Sequence, residues 1–385
     1  MITALRLFIV LTLLLSVPQA LADSQLSVNP TGRIFMDGAT FFSNQKSMFP
    51  DGISITDVRL GAKMSYDKWS AVINMAFNHN KLSLRAIYLS YDFKNDLLIR
   101  LGSFVPQFGL RTTLPASSHS PLIPPMANSA FNDGRQLGAM VVYYPEKYLL
   151  ALSLHTEGDA ATSILGSKDF IKEGIGISGR WAIRPFHDPG KVVQAGISGG
   201  FSTPRKHLDE NGFDIHDTFR FKSNFPSKVV SVSALDATVR HALNKWKFSP
   251  EFLFNFNNFA LEGQYYCSLV NRTDDLSSFA AHGMYVIVRS LLSGNSYSYS
   301  QYAGALECPP PKSLELVFDY DYTDLSDAGA GIFGGKANNL SLTFNYYFNK
   351  YVIARLRYGY THTWNKPGES NISLNSVMAR IQVVF

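Results

Sequence analysis

The residues best placed for hydrolytic chemistry are His362 and Asn365, in the stretch YTHTWN. A histidine activates a nucleophile when a serine lies within hydrogen-bond reach and a third group orients the ring. No serine stands at the expected place in this stretch, and SSHS at 117–120 is an equally weak match. A histidine within a band of aromatic residues is therefore the stronger hypothesis for His362.

The acidic run DYDYTDLSD could bind calcium through its carboxylates. Alternation places Asp319 and Asp321 on one face of a strand, where we expect solvated charges rather than a metal site. The sequence contains no phosphate-binding glycine loop, no dinucleotide fingerprint and no cysteine–histidine spacing typical of a metal site. We therefore predict no metal, no cofactor and no enzymatic activity.

Apolar and polar residues alternate over segments of roughly ten residues separated by short polar turns, which predicts β-strands. In SLELVFDYDYTD, Leu316 and Phe318 lie on one face and Glu315 and Asp319 on the other. The terminal stretch SVMARIQVVF alternates in the same way and carries Arg380 on its polar face. No convincing amphipathic helix appears after residue 22.

About sixteen such strands are predicted, near 31–42, 53–66, 69–78, 81–93, 96–104, 136–144, 148–156, 173–184, 191–202, 245–256, 259–270, 282–292, 313–323, 338–348, 351–362 and 374–385. Long connections are predicted at 43–52, 105–135, 157–172, 203–244, 271–281, 324–337 and 363–373. Short turns alternate with these long loops, with two exceptions. The connection 79–80 is short where a long loop is expected, and 293–312 is long where a short turn is expected.

The N-terminal residues 1–22 predict a secretory signal peptide. They contain one cation, Arg6, an apolar run from Leu7 to about Val17, and Ala20-Leu21-Ala22 before the expected cleavage. The apolar run is too short to span a bilayer. We expect an exported mature chain, 23–385, that forms a single domain; a short N-terminal anchor is the alternative.

Composition limits the class of protein. Hydrophobic residues make up 46% and aromatic residues 13% of the chain, yet no apolar stretch after residue 22 approaches the roughly 18 residues of a membrane helix. Without Arg6, 34 basic residues face 30 acidic ones, a charge of about +4 that does not indicate a nucleic-acid partner. Cys267 and Cys308 are predicted to lie too far apart for a disulfide.

Alternating strands with short turns on one side and long loops on the other predict an all-β fold, a transmembrane antiparallel β-barrel with short periplasmic turns and long outer loops. A soluble β-sandwich is the alternative, because its strands also alternate. The exposed face of a sandwich should be polar, whereas here the apolar face spans whole strands and ends in aromatic residues. The residues predicted to form such interfacial girdles are Phe41-Phe42, Trp69, Tyr143-Tyr144, Tyr346-Tyr347 and Trp364.

The chain ends on Phe385. Exported barrels in general carry a C-terminal aromatic residue that the barrel-insertion machinery recognises. The resemblance to such proteins implies that machinery as a partner and an outer-membrane bilayer with lipopolysaccharide as the surroundings. Arg380, on the polar face of the last strand, is then expected to point into the lumen.

Several stretches resemble the family of phosphate- and polyphosphate-selective porins of bacterial outer membranes. They are GRIFMD with DVRLGAKM, LRAIYLSYDF before LIRLGSFVPQFGL, RFKSNFP before KWKFSPEFLFNFNNFALEGQYY, and in the last third HGMYVIVRSLLSGN, SLELVFDYDYTDLSD and NNLSLTFNYYFNKYVIARLRYGY. The resemblance implies a homotrimer of sixteen-stranded barrels. It also implies a third loop folded into the pore and a ladder of basic residues that passes anions.

Carried over to this sequence, the candidate anion pathway comprises Arg33, Arg59, Arg85, Arg100, Arg111, Arg135, Arg220 and Lys222. Stacked guanidinium groups can each donate paired hydrogen bonds to an oxyanion, and a low-dielectric wall focuses their field. The alternative is that any water-filled barrel carries cations inside that acidic residues balance.

The chain departs from the family pattern in its loops. The predicted third loop carries two arginines and Asp133 but no lysine cluster, and the predicted fifth loop, 203–244, is nearly neutral. Predicted inward acids weaken any positive field; they are Asp37, Asp57, Glu262, Glu315, Asp319 and Asp321. We therefore expect a passive pore for small anionic solutes with a mild anion preference, and phosphate specificity as a refinement.

Two other functions remain open at this point, a hydrolase and a structural or adhesive barrel, and a third, a ligand-gated importer, is disfavoured. A phospholipase-like barrel hydrolase would use His362. A ligand-gated importer would need a plug domain before the barrel, whereas strand-like alternation begins by residue 31. A structural or adhesive barrel would need no pathway at all. The solute, the pore radius and the position of loop 105–135 are not determined by the sequence.

Overall fold

Sixteen antiparallel strands form a closed barrel in the computed structural model, which describes residues 26–78, 81–93, 96–157, 171–208, 214–215 and 217–385. The strands are β1 Leu26–Ser43, β2 Gly52–Tyr66, β3 Trp69–Asn78, β4 Lys81–Phe93, β5 Leu97–Phe104, β6 Gln136–Tyr143, β7 Tyr148–Glu157, β8 Gly174–Asp188, β9 Lys191–Ser202, β10 Ala242–Phe256, β11 Phe259–Arg272, β12 Phe279–Ser293, β13 Leu314–Asp327, β14 Ile332–Tyr347, β15 Val352–Trp364 and β16 Ile372–Val384. The predicted signal peptide and the connection 79–80 lie outside the described residues.

The barrel closes between its first and last strands. β1 pairs with β16 from Arg33 opposite Val384 to Ser43 opposite Leu374. At the turn side of this seam, the Phe385 backbone N–H donates to the Gly32 carbonyl at 3.0 Å. A Cβ atom on Gly32 would lie 2.4 Å from the Phe385 ring, so only glycine leaves room for the terminal aromatic residue.

Strict two-residue alternation decides which face of each strand meets the surroundings. On β7, Leu150, Leu152 and Leu154 are exposed on the outer surface, whereas Leu149 and Ala151 are buried inside. An apolar outer surface and a polar interior are the requirements of a barrel that lies in a bilayer. Among the described residues, no helix is long and apolar enough to cross a membrane.

Aromatic residues cluster where the outer strand faces end. Trp69 contacts Tyr91 with ring centroids 4.7 Å apart, and Tyr91 contacts Phe93 at 4.6 Å. The prediction for Phe41 and Tyr347 is wrong, because both rings are buried inside the barrel. Adjacent residues on a strand point to opposite faces, so each predicted aromatic pair can place only one ring on the outer surface.

Several predicted loops contain regular structure. The short helix α1, Met126–Phe131, lies in loop 105–135, and a hairpin of strands Thr218–Asn224 and Ser233–Arg240 lies in the fifth loop. The predicted loop 324–337 is mostly strand and leaves only residues 328–331 between β13 and β14. The glycines of this segment suggested a loop, but Gly334 is needed for close packing within the strand. A Cβ on Gly334 would lie 2.6 Å from the Cβ of Ala237 in the fifth-loop hairpin.

Three segments fold into the barrel, which is why its hydrophobic core lies inside the lumen. They are the third loop, 105–135, and residues 217–241 of the fifth loop, which enter from the loop side, and the turn-side insertion, 294–313, which enters from the side of the short turns. In the main core cluster, Phe131 of α1 stacks on Tyr266 of β11 with centroids 5.6 Å apart and contacts Phe221 of the fifth loop at 5.9 Å.

Candidate functional site

The third loop crosses the lumen and is bound to the opposite strands through its main chain. Arg355 of β15 donates from Nη2 to the Ser117 carbonyl at 3.0 Å, and Arg380 of β16 donates from Nη1 to the Leu122 carbonyl at 3.2 Å. Arg355 also donates to the His119 carbonyl. Loop 105–135 therefore folds inward, as the resemblance implied.

Both ends of the third loop are fixed by ion pairs. Near its start, Arg111 pairs with Glu262 of β11, and both side chains are buried. Near its end, Asp133 accepts from Lys245 Nζ at 2.8 Å and also from Lys247. These two lysines hold the pKa of the Asp133 carboxyl well below its usual range, although burial acts in the opposite direction. Arg111 thus stabilises the position of the third loop and is not a solvent-exposed cation of the pathway.

His119 lies in the buried middle of the third loop. Burial, followed by repulsion from Arg111 and Arg355, lowers the pKa of its imidazole to about 3. The ring is therefore neutral near pH 7. It borders a small cleft that Arg111 and Arg289 also line.

The fifth loop places its two predicted pathway residues on one carboxylate. Arg220 Nε donates to Asp236 Oδ1 at 2.8 Å across the hairpin, and Lys222 Nζ lies 4.0 Å from Asp236 Oδ2. These contacts lower the pKa of Asp236 and leave the pair of cations with one excess charge. The Arg220 side chain is exposed at the loop side of the barrel.

The tip of the fifth loop carries a cation that the sequence analysis did not single out. Lys228 is exposed to solvent, and its ammonium interacts with Asp57, Arg59 and Arg380. Partial desolvation inside the barrel, followed by repulsion from Arg380, lowers the pKa of Lys228. No carboxylate among the described residues lies within ion-pair distance of it.

The inner face of β1–β5, here called the open wall, keeps contact with solvent. Arg33 Nη2 lies 2.5 Å from Asp57 Oδ2, and Arg59 Nε lies 2.9 Å from Asp57 Oδ1, so two arginines share one carboxylate. The Arg59 side chain is 24% exposed although it points inward. An inward side chain can be exposed only if it borders water inside the barrel, so the solvent-accessible passage follows this wall.

Further cations extend the open wall. Arg100 is half-buried, donates from Nε to Ser90 Oγ at 3.0 Å, and stacks its guanidinium on Tyr88 at 4.1 Å from the ring centroid. Arg85 is also half-buried. Lys63, two residues after Gly61 on the inner face of β2, is exposed. Arg135, at the end of the third loop, is half-buried.

The inner face of β6–β16, here called the packed wall, is covered by the inward segments. Its acids are almost completely buried: Glu251, Glu262, Glu315, Asp319 and Asp321 are each at most 5% exposed. The prediction that Asp319 and Asp321 are solvated is therefore wrong. Asn339 Nδ2 donates to Asp321 at 2.8 Å, and the Met126 backbone N–H, at the start of α1, donates to its other oxygen at 3.1 Å.

His362 has a neighbour that the sequence did not reveal. Ser373 lies directly opposite on β16, with its Oγ 2.9 Å from His362 Nδ1, and His362 stacks on Trp364. No described residue hydrogen-bonds to His362 Nε2, so this pair lacks an orienting third group. The described residues also include no group of three His, Cys, Asp or Glu side chains placed to hold a metal.

The sequence analysis did not identify two lysines beside the passage, Lys63 and Lys228, and the reasons differ. Lys63 follows Arg59 at the even spacing of one strand face, so alternation alone could have identified it. Lys228 lies in an irregular turn after Pro226, where no periodic pattern predicts the direction of a side chain. Its place opposite β1 and β2 depends on the folding of residues 217–241 into the barrel.

Three solved structures share this architecture at low identity. OmpT of Vibrio cholerae in a trimer form matches 94% of this chain and 100% of its own with 11% identity and a TM-score of 0.56. The anion-selective porin from Comamonas acidovorans matches 94% and 100% with 15% identity and a TM-score of 0.57. The outer membrane channel DcaP of Acinetobacter baumannii matches 94% and 97% with 13% identity and a TM-score of 0.54.

These identities establish a common fold and nothing finer. No curated protein matches the chain. The family model described as phosphate-selective porin O and P, in contrast, matches residues 33–385, which include all sixteen strands except the start of β1. The chain therefore belongs to the phosphate-selective porin O and P family and is a channel protein of the outer membrane.

Proposed function

We propose that this channel is a passive diffusion pore with a mild preference for small anions, which pass along the open wall. The observation that supports it best is the sharing of Asp57 by Arg33 and Arg59 beside the exposed Lys228. Phosphate and polyphosphate fall within this solute class, and paired guanidinium donors suit their oxygens.

The charge balance along the passage favours anions. Around the tip of the fifth loop, three cations face one carboxylate: Arg33, Arg59 and Lys228 against Asp57. The buried pair of Arg380 and Asp37 adds no net charge. Charges within a Debye length of the permeating ion, about 8 Å at physiological salt, bias its passage. Because the excess is only two charges, we expect preference rather than exclusion.

The buried acids of the packed wall do not cancel this excess. Glu251, Glu262 and Glu315 each pair with a buried arginine, and the inward segments separate them from the passage. The sequence interpretation, in which inward acids dilute the positive field, counted these residues as if they faced water. Their burial supports a stronger field along the open wall than the sequence predicts.

Ion preference can be measured as a reversal potential in planar bilayers across a tenfold KCl gradient. A perfectly selective channel would give about 59 mV, and we expect roughly a third of that with the sign of chloride preference. Changing Arg59 and Arg85 together to glutamate should move the reversal potential toward cations. Lys350→Glu is the control for each single replacement, because it also exchanges a cation for an anion, in an exposed turn outside the lumen.

A wild-type channel that prefers potassium would contradict the proposed anion pathway, and an equal shift in the Lys350→Glu control would assign the effect to surface charge. Adding phosphate to the chloride solution distinguishes phosphate specificity from general anion passage. Block of chloride current by phosphate in the wild type, weakened in Lys228→Met, would support a phosphate-binding pathway. Equal conduction of both anions would limit the protein to general anion passage.

The proposed assembly is a homotrimer, supported by the family membership and by the trimer form of OmpT from Vibrio cholerae. The proposed surroundings are lipopolysaccharide and phospholipid, with the short turns in the periplasm and export by a signal peptide. Native mass spectrometry of the detergent-extracted protein tests the subunit number, since a monomer would have one third of the expected mass.

Hydrolase activity is the alternative that one observation favours, the contact between Ser373 and His362. We propose that the protein is not an enzyme, because the imidazole lacks an orienting partner among the described residues. Purified protein should give no lipase turnover with or without calcium. Turnover that disappears in Ser373→Ala and His362→Ala would contradict this.

A further inference from the structure

The cleft beside His119, here called the third-loop cleft, lies between the third loop and the packed wall. Its charged and imidazole lining consists of Arg111 and His119 of the third loop, Glu262 of β11 and Arg289 of β12. Its apolar lining includes Leu110, Leu114 and Leu306. The cleft has room for about one water-sized atom, so it can hold a single small ligand and is not part of the passage along the open wall.

Four buried nitrogen atoms of this lining have no hydrogen-bond partner among the described residues. They are Arg111 Nε, Arg289 Nη2 and both ring nitrogens of His119. Arg111 is 6%, Arg289 2% and His119 8% exposed, so bulk water does not solvate them. Buried polar groups in proteins are almost always hydrogen-bonded, and leaving them unpaired is costly. Their concentration at one cleft therefore indicates a bound acceptor from outside the chain.

Both arginines are already held in place by a carboxylate. Arg111 pairs with Glu262 through Nη2, and Arg289 Nε donates to Glu315 of β13 at 2.8 Å. A guanidinium group is planar and rigid, so it cannot turn an unpaired N–H toward another partner without releasing the carboxylate. The N–H groups of Arg111 Nε and Arg289 Nη2 thus stay available to an occupant of the cleft.

His119 can supply a third donor. The Leu114 backbone lies beside its ring, and neither ring nitrogen makes a hydrogen bond of ordinary geometry with a described residue. The ring is neutral near pH 7 and therefore carries one N–H, which either nitrogen can hold. When that N–H points into the cleft, it joins those of Arg111 and Arg289 around the same small space.

The charge around the cleft is positive. Three guanidinium groups, of Arg111, Arg289 and Arg355, face the two carboxylates of Glu262 and Glu315. Arg355 donates to third-loop carbonyls, and no carboxylate among the described residues lies within ion-pair distance of it. Both Arg111 and Arg355 also oppose protonation of the His119 ring. A buried cation without a counter-ion is unfavourable, so the cleft suits an occupant with one negative charge.

We propose that the third-loop cleft binds one monatomic anion, a chloride ion, which accepts hydrogen bonds from Arg111, Arg289 and His119 and holds the third loop against the packed wall. Chloride only accepts hydrogen bonds, whereas a water molecule has two protons that need acceptors of their own. Phosphate, with four oxygen atoms, is too large for the cleft. The site lies apart from the passage, so it goes beyond the pore function and does not depend on it.

Crystals of the detergent-extracted protein grown with bromide in place of chloride test the occupant directly, because bromide gives an anomalous X-ray signal that water lacks. We expect a peak in the anomalous difference map within hydrogen-bond reach of Arg111 Nε and Arg289 Nη2. An ordered cleft that holds water and shows no such peak would overturn the proposal. This measurement needs no variant, so it remains decisive if a substitution at the cleft prevents folding.

Limited proteolysis of loop 105–135 in detergent micelles measures what the ion does. An anion that binds only the closed loop lowers the open fraction by the factor 1 + [anion]/Kd, so a Kd of about 20 mM slows cleavage about tenfold in about 0.2 M chloride. The reference is the same concentration of gluconate, an anion too large for the cleft, and bromide should protect as chloride does. Equal cleavage rates in chloride and gluconate would overturn the proposed role of the ion.

Arg111→Lys removes the Nε donor and keeps a cation beside Glu262, so protection by chloride should fall from about tenfold to less than about threefold. Arg357→Lys is the matched control, because Arg357 is buried in the packed wall and also has an unpartnered Nε but does not line the cleft. It should keep the full protection. Full protection in Arg111→Lys, or equal loss in both variants, would place the chloride effect elsewhere and overturn the site. Because no channel current is measured, failure of the pore function would leave these results unchanged.

Discussion

On the open wall, Arg33 and Arg59 share the carboxylate of Asp57 and the Arg59 side chain borders water, whereas on the packed wall Arg355 and Arg380 are buried and donate to carbonyls of the third loop. The side-chain type is the same in both regions, and all four residues point inward. The two regions differ in what covers the wall. The open wall borders solvent at Arg59, whereas the third loop covers Arg355 and Arg380 on the packed wall.

This contrast shows that an inward arginine in a barrel is not by itself evidence of an ion pathway. A guanidinium has five donors in a fixed plane, so it can bind a permeating oxyanion or the main chain of an inward loop equally well. Of the eight predicted pathway residues, Arg111 serves neither purpose, because it lies in the third loop and pairs with the buried carboxylate of Glu262. Arg33, Arg59, Arg85 and Arg100 stay on the wall that borders solvent.

The largest difference between the walls should appear in stability. Arg380→Met would leave Asp37 unpaired, although Arg380 Nε now lies 2.6 Å from it and Asp37 has no exposed side-chain surface. Breaking such a buried pair costs about 3–5 kcal/mol. The matched change on the open wall, Arg59→Met, should cost about 1 kcal/mol or less. Urea unfolding of the two variants in the same detergent micelles measures this difference.

Equal destabilisation by Arg380→Met and Arg59→Met would contradict the division into two walls. The double variant Asp37→Leu with Arg380→Met controls for the unpaired charge. It should recover much of the lost stability, because no isolated carboxylate remains buried.

A smaller effect is expected at the end of the third loop. Asp133→Asn should weaken loop closure by about 2 kcal/mol, because two buried lysines lose their shared carboxylate. The pKa of Asp133 is lowered in the folded state, so its stabilisation is present above the ordinary carboxyl pKa of about 4 and is lost as the pH falls below it. Limited proteolysis of loop 105–135 between pH 3 and pH 7 reports the change.

Loop 105–135 of Asp133→Asn at neutral pH should be cleaved about as fast as the same loop of the wild type in acid. Asp236→Asn provides the control, since its partner Arg220 is exposed and such pairs contribute less than about 1 kcal/mol. Identical proteolysis rates for wild type and Asp133→Asn at pH 7 would show that the lysine pair does not hold the loop closed.

The smallest effect concerns His119. Its pKa is lowered from 6.5 to about 3 in the folded loop, so between these values the released loop binds more protons and acid favours release. From pH 6.5 to pH 5.5 this should weaken loop closure by about 1 kcal/mol. His119→Gln should remove that slope while leaving the steeper loss below about pH 4 that depends on Asp133. A wild-type proteolysis rate that is constant from pH 7 to pH 5 would contradict it.

The sequence alone determined the barrel and the direction of most strand residues. Two-residue alternation depends only on the local backbone, so it placed Arg33, Arg59 and Arg380 inward correctly, and it could also have placed Lys63. Terminal Phe385 and the aromatic ends of the strands likewise reflect a local rule about the edges of a bilayer. Sixteen strands and the closed sheet are confirmed.

Only the tertiary structure decided which inward residues meet water. The position of Lys228, the burial of Asp319 and Asp321, and the contact between Ser373 and His362 each join segments that lie far apart in the chain or belong to different strands. The connection 293–312 was recognisable as too long for a turn, but nothing in its composition indicated that the carbonyls of Gln301, Ala303 and Gly304 would accept hydrogen bonds from Arg180 and Arg184 of β8. Those contacts exist because the closed barrel brings the far wall within reach, and no local pattern encodes that closure.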